Sequence, residues 1–219
     1  MNFEELKGWI TEAQNGGSRL FSSCSFQTHS LPLLHMISRI NSGICIAFID
    51  TGYHFPETLS FRDRVAEEFG LRNLVNLRSS MPKSMQKDSH GHLIYTSDPD
   101  HCCAINKVDP LDSLLLNHDY WINGVRADQS KARAEMTLVQ NAPHGCKRLH
   151  PMLEWDNRKI WQYIKEFDLP RHPLDSAGYL SIGCEPCTRR IDPEQSEREA
   201  RWFGMNKTEC GLHTELINK

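Results

Sequence analysis

A chain of 219 residues with 25 Lys and Arg, 28 Asp and Glu and a formal net charge of −3 lacks the basic excess that holds nucleic acid or an anionic membrane surface. Its length suffices for one large core burying about 70% of the unfolded surface. No apolar run approaches the roughly 18 residues of a membrane span, and Met1–Ile10 is acidic and amphipathic rather than a basic leader with an apolar core, so a soluble, cytoplasmic protein is expected.

Phe3, Leu6, Trp9 and Ile10 share one helical face, which predicts a helix over residues 3–15 ended by Gly16-Gly17. A short strand at Arg19-Leu20-Phe21 runs into the Ser-rich turn Ser22–Ser30, and an apolar helix follows from Leu31 to Ile40. Strand, hydroxyl-rich turn and helix make an anion cradle, where N–H groups, hydroxyls and the helix dipole converge on one ligand. Ordinary N-capping by Ser and Thr is the competing use. Gly43–Ile49 is a continuous apolar run ending in Asp50-Thr51-Gly52, as in a buried parallel strand whose C-terminal edge faces ligand. Pro56 and Glu57 open a helix to about Gly70, and Asn73–Leu77 is a further strand. This alternation predicts an α/β fold with right-handed crossovers.

Residues 78–100 are polar and long for a plain connection, which suggests a mobile lid or access loop, with His90 and His92 solvated rather than ligating metal. Asp98-Pro99-Asp100 signals a helix start ahead of His101-Cys102-Cys103 and an amphipathic segment to Leu116. Tyr120-Trp121-Ile122 reads as a strand. The basic loop Gly124–Arg133 just past it suits an anionic substrate, or is an ordinary solvated turn. A helix from Asn157 to Phe167 places Ile160, Trp161 and Ile164 in the core, and a charged helix over Pro193–Phe203 sets Arg198 and Arg201 one turn apart.

Eight cysteines in a reducing compartment argue against a disulfide framework and for metal or catalytic use. The adjacent pair Cys102-Cys103 and the spaced pair Cys184/Cys187 supply four thiolates, enough for structural zinc or for an iron–sulfur cluster. Neighbouring side chains diverge, so an adjacent pair meets two corners of one small tetrahedron poorly, and the spacing favours the cluster. A thioredoxin-like redox role for Cys184/Cys187 is a third reading, weakened because that motif opens a helix after the first strand of its fold. Cys24, Cys45 and Cys146 read as small buried hydrophobes. Cys210 differs: Lys207, Glu209 and His213 give it surroundings that tune a thiol, against the plainer reading of a frayed terminal cysteine.

The Ser-rich turn, Asp50-Thr51-Gly52-Tyr53-His54-Phe55-Pro56-Glu57-Thr58, Cys102-Cys103 with Lys107, Gly124-Val125-Arg126 through Gln129-Ser130 and Arg133, Gly183-Cys184-Glu185-Pro186-Cys187 and Glu209-Cys210-Gly211-Leu212-His213 follow in that order. The ordered set resembles the assimilatory adenylyl-sulfate/phosphoadenylyl-sulfate reductases, in their cluster-bearing branch. The resemblance implies an adenine nucleotide α-hydrolase-like, PP-loop-related α/β sheet flanked by helices, with a domain over residues 1–204 and a mobile C-terminal tail over 205–219. It implies thioredoxin-dependent reduction of adenosine 5′-phosphosulfate to sulfite and AMP, in sulfate assimilation towards cysteine. Cys210 would attack sulfur to give an S-sulfocysteine. Cys102, Cys103, Cys184 and Cys187 match the ligands of a 4Fe–4S cluster, Lys107 a lysine near cluster and substrate, and Arg126, Arg198 and Arg201 phosphosulfate-binding arginines. Ser22, Ser23 and Ser25 fall in the family's modified phosphate loop, and Asp50, Thr51, Gly52 and His213 complete the expected substrate-binding set. Cys24, Gln27 and His29 depart from the serine, glycine and glutamine of many members. Expected partners are the sulfonucleotide and thioredoxin or a related dithiol, with no nucleic acid and no membrane; a homo-oligomer is left open. The tetrad argues for adenylyl sulfate over its 3′-phosphorylated form, which stays the alternative, alone or with dual specificity. More distant are an ATP-pyrophosphatase, whose Ser-Gly-Gly loop is missing here, and a zinc-stabilised nucleotide-binding module.

Overall fold

The computed structural model describes residues 1–179, 181–190, 201–202, 204–205, 207 and 211–214. Arg198, Cys210 and the side chain of His213 lie outside the described residues, as does most of the charged helix expected over Pro193–Phe203.

Helix α1 (Phe3–Asn15) begins with a reciprocal capping box: Asn2 Oδ1 accepts from Glu5 N at 3.0 Å, and the Glu5 carboxylate accepts from Asn2 N at 2.7 Å. The strands are β1 (Leu20–Ser23), β2 (Cys45–Ile49), β3 (Leu74–Leu77), β4 (Tyr120–Ile122), β5 (Val139–Asn141) and β6 (Lys147–Leu149). They form one sheet in the order β3-β2-β1-β4-β6-β5, parallel throughout except for the antiparallel β5–β6 pair. Between them run α2 (Leu31–Asn41), α3 (Pro56–Glu68), α4 (Ile94–Ser97), α5 (Pro99–Cys103), α6 (Asp109–Asn117) and α7 (Lys131–Ala134), followed by α8 (Asn157–Glu166) and α9 (Gly211–Thr214).

Because strand side chains alternate, the central strands feed two cores. Leu20, Ile46, Phe48, Ile122 and Leu149 meet α1, α2, α3 and α8 on one face. Phe21, Cys45, Ala47 and Trp121 meet Leu111 and Leu115 of α6 on the other. The result is a sheet between helical layers, the expected α/β architecture. Strands β5 and β6 escape sequence reading, since Val-Gln-Asn and Lys-Arg-Leu show no apolar run. No helix among the described residues is long and apolar enough to cross a membrane.

The chain winds outward from β1 through β2 to β3, then returns to place β4 on the other flank of β1. Diverging connections leave a crevice beyond the C-terminal ends of β1 and β4, the position at which open α/β sheets bind ligands. Residues 78–100, expected as a mobile lid or access loop, contain a 3₁₀ turn at Lys83–Met85 and helix α4. Gln86, 1% exposed, exchanges amide hydrogen bonds with Asn106 at 2.9 and 2.8 Å, which fastens the segment beneath the cysteine pair.

Candidate active site

A cavity of about 250 Å³ opens in that crevice. Ser23 at the end of β1, Phe48 and Ile49 of β2 and Asn123 just past β4 border it. The Ser-rich turn gives it Ser25, Gln27, His29 and Ser30. This loop is held from within by Phe26 N donating to Cys24 Sγ at 3.3 Å, and Phe26 takes a left-handed φ of +53° with its ring fully buried. From outside, Gln27 Oε1 accepts from Ile182 N at 3.1 Å, and Thr28 Oγ1 donates to Asp175 at 2.6 Å while accepting from His172 N at 2.9 Å. Burial pushes the Cys24 thiol up to about 11, so it stays protonated beside the cavity. Burial likewise takes His29 down to about 4, with Arg126 adding to the effect, and leaves the ring neutral. His54 Nε2 donates to Ile49 O at 2.9 Å, which leaves its buried Nδ1 an acceptor without a partner among the described residues at the cavity wall. Asn123 is the complementary case: Oδ1 accepts from Val125 N at 3.3 Å, and the buried Nδ2 has no partner among the described residues.

Cys102, Cys103, Cys184 and Cys187 surround a second, smaller cavity. Helix α5 presents Cys102 and Cys103 and passes into a π-helical turn, Ala104–Val108, which carries Lys107. The Pro186 turn carries Cys184 and Cys187 to meet them. Burial, and then the neighbouring Cys103 and Cys184 sulfurs, push the Cys102 thiol up to about 11. Burial and Cys184 also raise Cys187, against the pull of Lys107 and Arg201. Thr51 Oγ1 lies 3.2 Å from Cys184 Sγ and Asn106 Nδ2 3.6 Å from Cys102 Sγ, polar groups that fix the orientation of these two sulfurs. Four thiols gathered at one small cavity, with Cys102 and Cys187 raised by burial and by their cysteine neighbours, form the donor set of an iron–sulfur cluster or a thiolate zinc site. Among the described residues no three His, Cys, Asp or Glu side chains close around a single point as one metal ion requires.

The two cavities share Thr51, Lys107 and Cys184. Arg201 stands at the same junction. It bridges to Thr188 in extended pairing rather than sitting on a helix, and its Nε donates to Cys187 O at 3.1 Å. Gly183 makes room for it, since a Cβ there would overlap the guanidinium. Gly211 packs against Cys103 in the same way, with only 2.8 Å left for a Cβ beside that of Cys103.

Of the expected binding set, Ser23, Ser25, Thr51, Lys107 and Arg201 line the larger cavity. Ser22 does not: it is 2% exposed, turned by strand alternation away from the face on which Ser23 accepts from Trp121 Nε1 at 2.8 Å. Asp50 and Gly52 also stand back from the lining and shape the turn presenting Thr51. Asp50 accepts from Gly52 N at 3.0 Å and from Arg78 at 2.6 Å, and Gly52 has φ +71°. Burial would raise the Asp50 carboxyl, but these hydrogen bonds outweigh it and hold it below the ordinary value. Arg126, 3% exposed, is spent on Asp128 at 2.9 Å, and Arg133 lines the cavity instead. Asn123, His54, Gln129 and Trp202 line it too; no sequence motif marks Asn123 or Trp202, while His54 and Gln129 fall within the runs that carry the resemblance. Trp161, expected in the core, is partly buried and packs against it, with its ring 5.2 Å from that of His29 and the Arg171 guanidinium 4.8 Å over it. Cys45 and Cys146 are buried as expected, at 8% and 2% exposure.

The family model described as "Phosphoadenosine phosphosulfate reductase domain" matches residues 19–190. An adenosine 5′-phosphosulfate reductase of Bacillus cytotoxicus is 35% identical over 220 residues, covering 97% of this chain and 93% of that one. A phosphoadenosine 5′-phosphosulfate reductase of Gloeobacter violaceus is 38% identical over 200 residues, covering 90% and 83%. Among solved structures, the phosphoadenylyl-sulfate reductase of Candida auris in a phosphate complex superposes with a TM-score of 0.66 at 24% identity, covering 82% of this chain and 87% of that one. Candida glabrata FMN adenylyltransferase shares the fold at a TM-score of 0.57 and 13% identity, covering 91% and 73%.

Proposed function

Since the chain belongs to the phosphoadenosine phosphosulfate reductase family, we propose that it reduces adenosine 5′-phosphosulfate to sulfite and AMP, with a thioredoxin-type dithiol as electron donor. What carries the reading is the wall common to both cavities. An anion seated beside the Ser-rich loop would abut the thiol tetrad through Thr51, Lys107 and Cys184, and Gly211, next in chain to Cys210, rests on Cys103.

In the first step the Cys210 thiolate attacks the sulfonyl sulfur. An S–S bond forms, the S–O bond to phosphate breaks, and AMP leaves with that electron pair. In the second, a thiolate of the reductant attacks Cys210 Sγ and sulfite departs with the pair of the S–S bond. The reductant's other thiol then closes its own disulfide and frees Cys210. Both electrons come from the dithiol. Ser23 and Ser25 offer hydroxyls to the phosphosulfate, and Lys107, Arg133 and Arg201 offer charge; each charged hydrogen bond contributes roughly 1.5–3 kcal/mol. That neutralisation lets one anion approach another. Cys102, Cys103, Cys184 and Cys187 would hold a 4Fe–4S cluster, which when bound supplies a fixed charge centre and a rigid wall beside Lys107.

Replacing Cys210 by Ser should abolish sulfite release and leave AMP binding and iron content near those of the parent; retained turnover would sink the mechanism. The Gloeobacter violaceus relative favours a second reading, the 3′-phosphorylated substrate. Turnover on the two nucleotides side by side tests it, and a higher kcat/KM on the 3′-phosphorylated one would overturn the assignment above.

A further inference from the structure

Gln27 lies within the Ser-rich loop, and its backbone is fixed from several sides. Its carbonyl accepts from Ser30 N at 2.9 Å and from Ser30 Oγ at 2.7 Å, which closes the 3₁₀ turn Thr28–Ser30. Before it stands Phe26, buried and left-handed; after it, Thr28 is tied to Asp175 and to His172 N. From that base the half-buried Gln27 side chain lines the larger cavity. Its carboxamide can face only one way. Ile182 N donates to Oε1 at 3.1 Å, and a backbone donor requires the oxygen there, so the two N–H donors of Nε2 point elsewhere. Nε2 has no acceptor among the described residues.

The oxygen end of the same carboxamide leads to the thiol tetrad. Ile182, 2% exposed, stands just ahead of Gly183 and Cys184. From there the chain is knit as a unit. Gly183 N donates to Thr188 Oγ1 at 3.1 Å, Thr188 Oγ1 donates to Cys184 O at 2.9 Å, and Cys187 N donates to Cys184 O at 3.0 Å. Whatever fixes Ile182 thus steadies the turn that carries Cys184 and Cys187.

We propose that the Gln27 carboxamide is a two-ended bridge, giving Nε2 to an oxygen of the bound nucleotide and holding the Cys184–Cys187 turn through Oε1. The ligand end rests on the larger cavity being the nucleotide site. An amide already ordered by Ile182 loses little freedom on meeting the ligand, and an amide held by ligand secures Ile182 in return.

The test uses the full-length protein with AMP and adenosine as probes, their Kd values read by calorimetry. Without nucleotide, two rates report on the tetrad: transfer of bound iron or zinc to a chelator, and alkylation by iodoacetamide of Cys187, which lines only the smaller cavity. Gln27→Met keeps the length and offers neither donor nor acceptor. It should raise the AMP Kd roughly three- to tenfold and quicken both rates by a similar factor. Gln27→Glu keeps an acceptor for Ile182 N but loses the donor and repels an anion. It should raise the AMP Kd about tenfold or more and leave both rates at those of the parent. An equal loss for adenosine in Gln27→Met would put the accepting oxygen on the ribose, and a loss confined to AMP would put it on the phosphate; either supports the bridge. Rates in Gln27→Glu as fast as in Gln27→Met, or an AMP Kd unchanged in both, would overturn it. A parent that binds no AMP would remove the nucleotide reading and the bridge with it, so the two failures are distinguishable.

Discussion

Gly183→Ala tests whether Arg201 works where its position suggests. Gly183 lies outside the left-handed region, so its backbone accepts alanine. The three heavy atoms nearest to an added Cβ all belong to the Arg201 guanidinium, the far end of a flexible side chain. The arginine therefore swings away, gives up its 3.1 Å bond to Cys187 O and leaves the cavity wall. The fold loses little, since no backbone atom is among those nearest neighbours. Binding loses one charged hydrogen bond, roughly 1.5–3 kcal/mol, or about 10- to 150-fold in kcat/KM for the sulfonucleotide. Steady-state kinetics read the loss, and iron content controls for the adjacent Cys184. In an Arg201→Ala background the same glycine change should have almost no effect. Additive losses in that cycle, or an unchanged kcat/KM in the single variant, would refute the reasoning.

Stability should decline on acidification. His150 and His172 are 0% and 1% exposed, and burial brings each pKa from 6.5 to about 4. The unfolded chain binds protons between those values and the folded chain does not, so stability is full above about pH 6.5 and falls as pH drops towards 4. At pH 5 the loss is roughly 2 kcal/mol per histidine, which urea melts at pH 7 and pH 5 would detect. Gln86→Leu should cost about 1–3 kcal/mol by stranding the Asn106 amide and should lower iron loading; a melt unchanged from the parent would contradict the fastening role. Cys102→Ser or Cys187→Ser should lose iron, sulfide, visible absorption and activity together, whereas Cys45→Ser should keep them. A colourless parent protein with one zinc and no iron would remove the cluster.

Sequence alone determined the parts of this protein whose cause is local. Periodicity and caps set α1, α2, α3 and α8 within a few residues, and the apolar runs ending at Ile49 and Ile122 marked two central strands with ligand-facing ends. Thiol counting found the tetrad, because a cysteine pair at either spacing is unusual however it folds. Tertiary structure decided which side chains of those motifs reach the cavity. Ser22 and Ser23 are neighbours of one chemistry, and the pleat sends one to each face. Arg126 and Arg133 share one loop, and an aspartate two residues away claims the first while the cavity takes the second. Trp202 and Asn123 gain their places from strand order and from segments far off in the chain, which no local pattern records. A motif fixes which groups are available; the sheet's alternation and its buried partners fix which of them face the ligand.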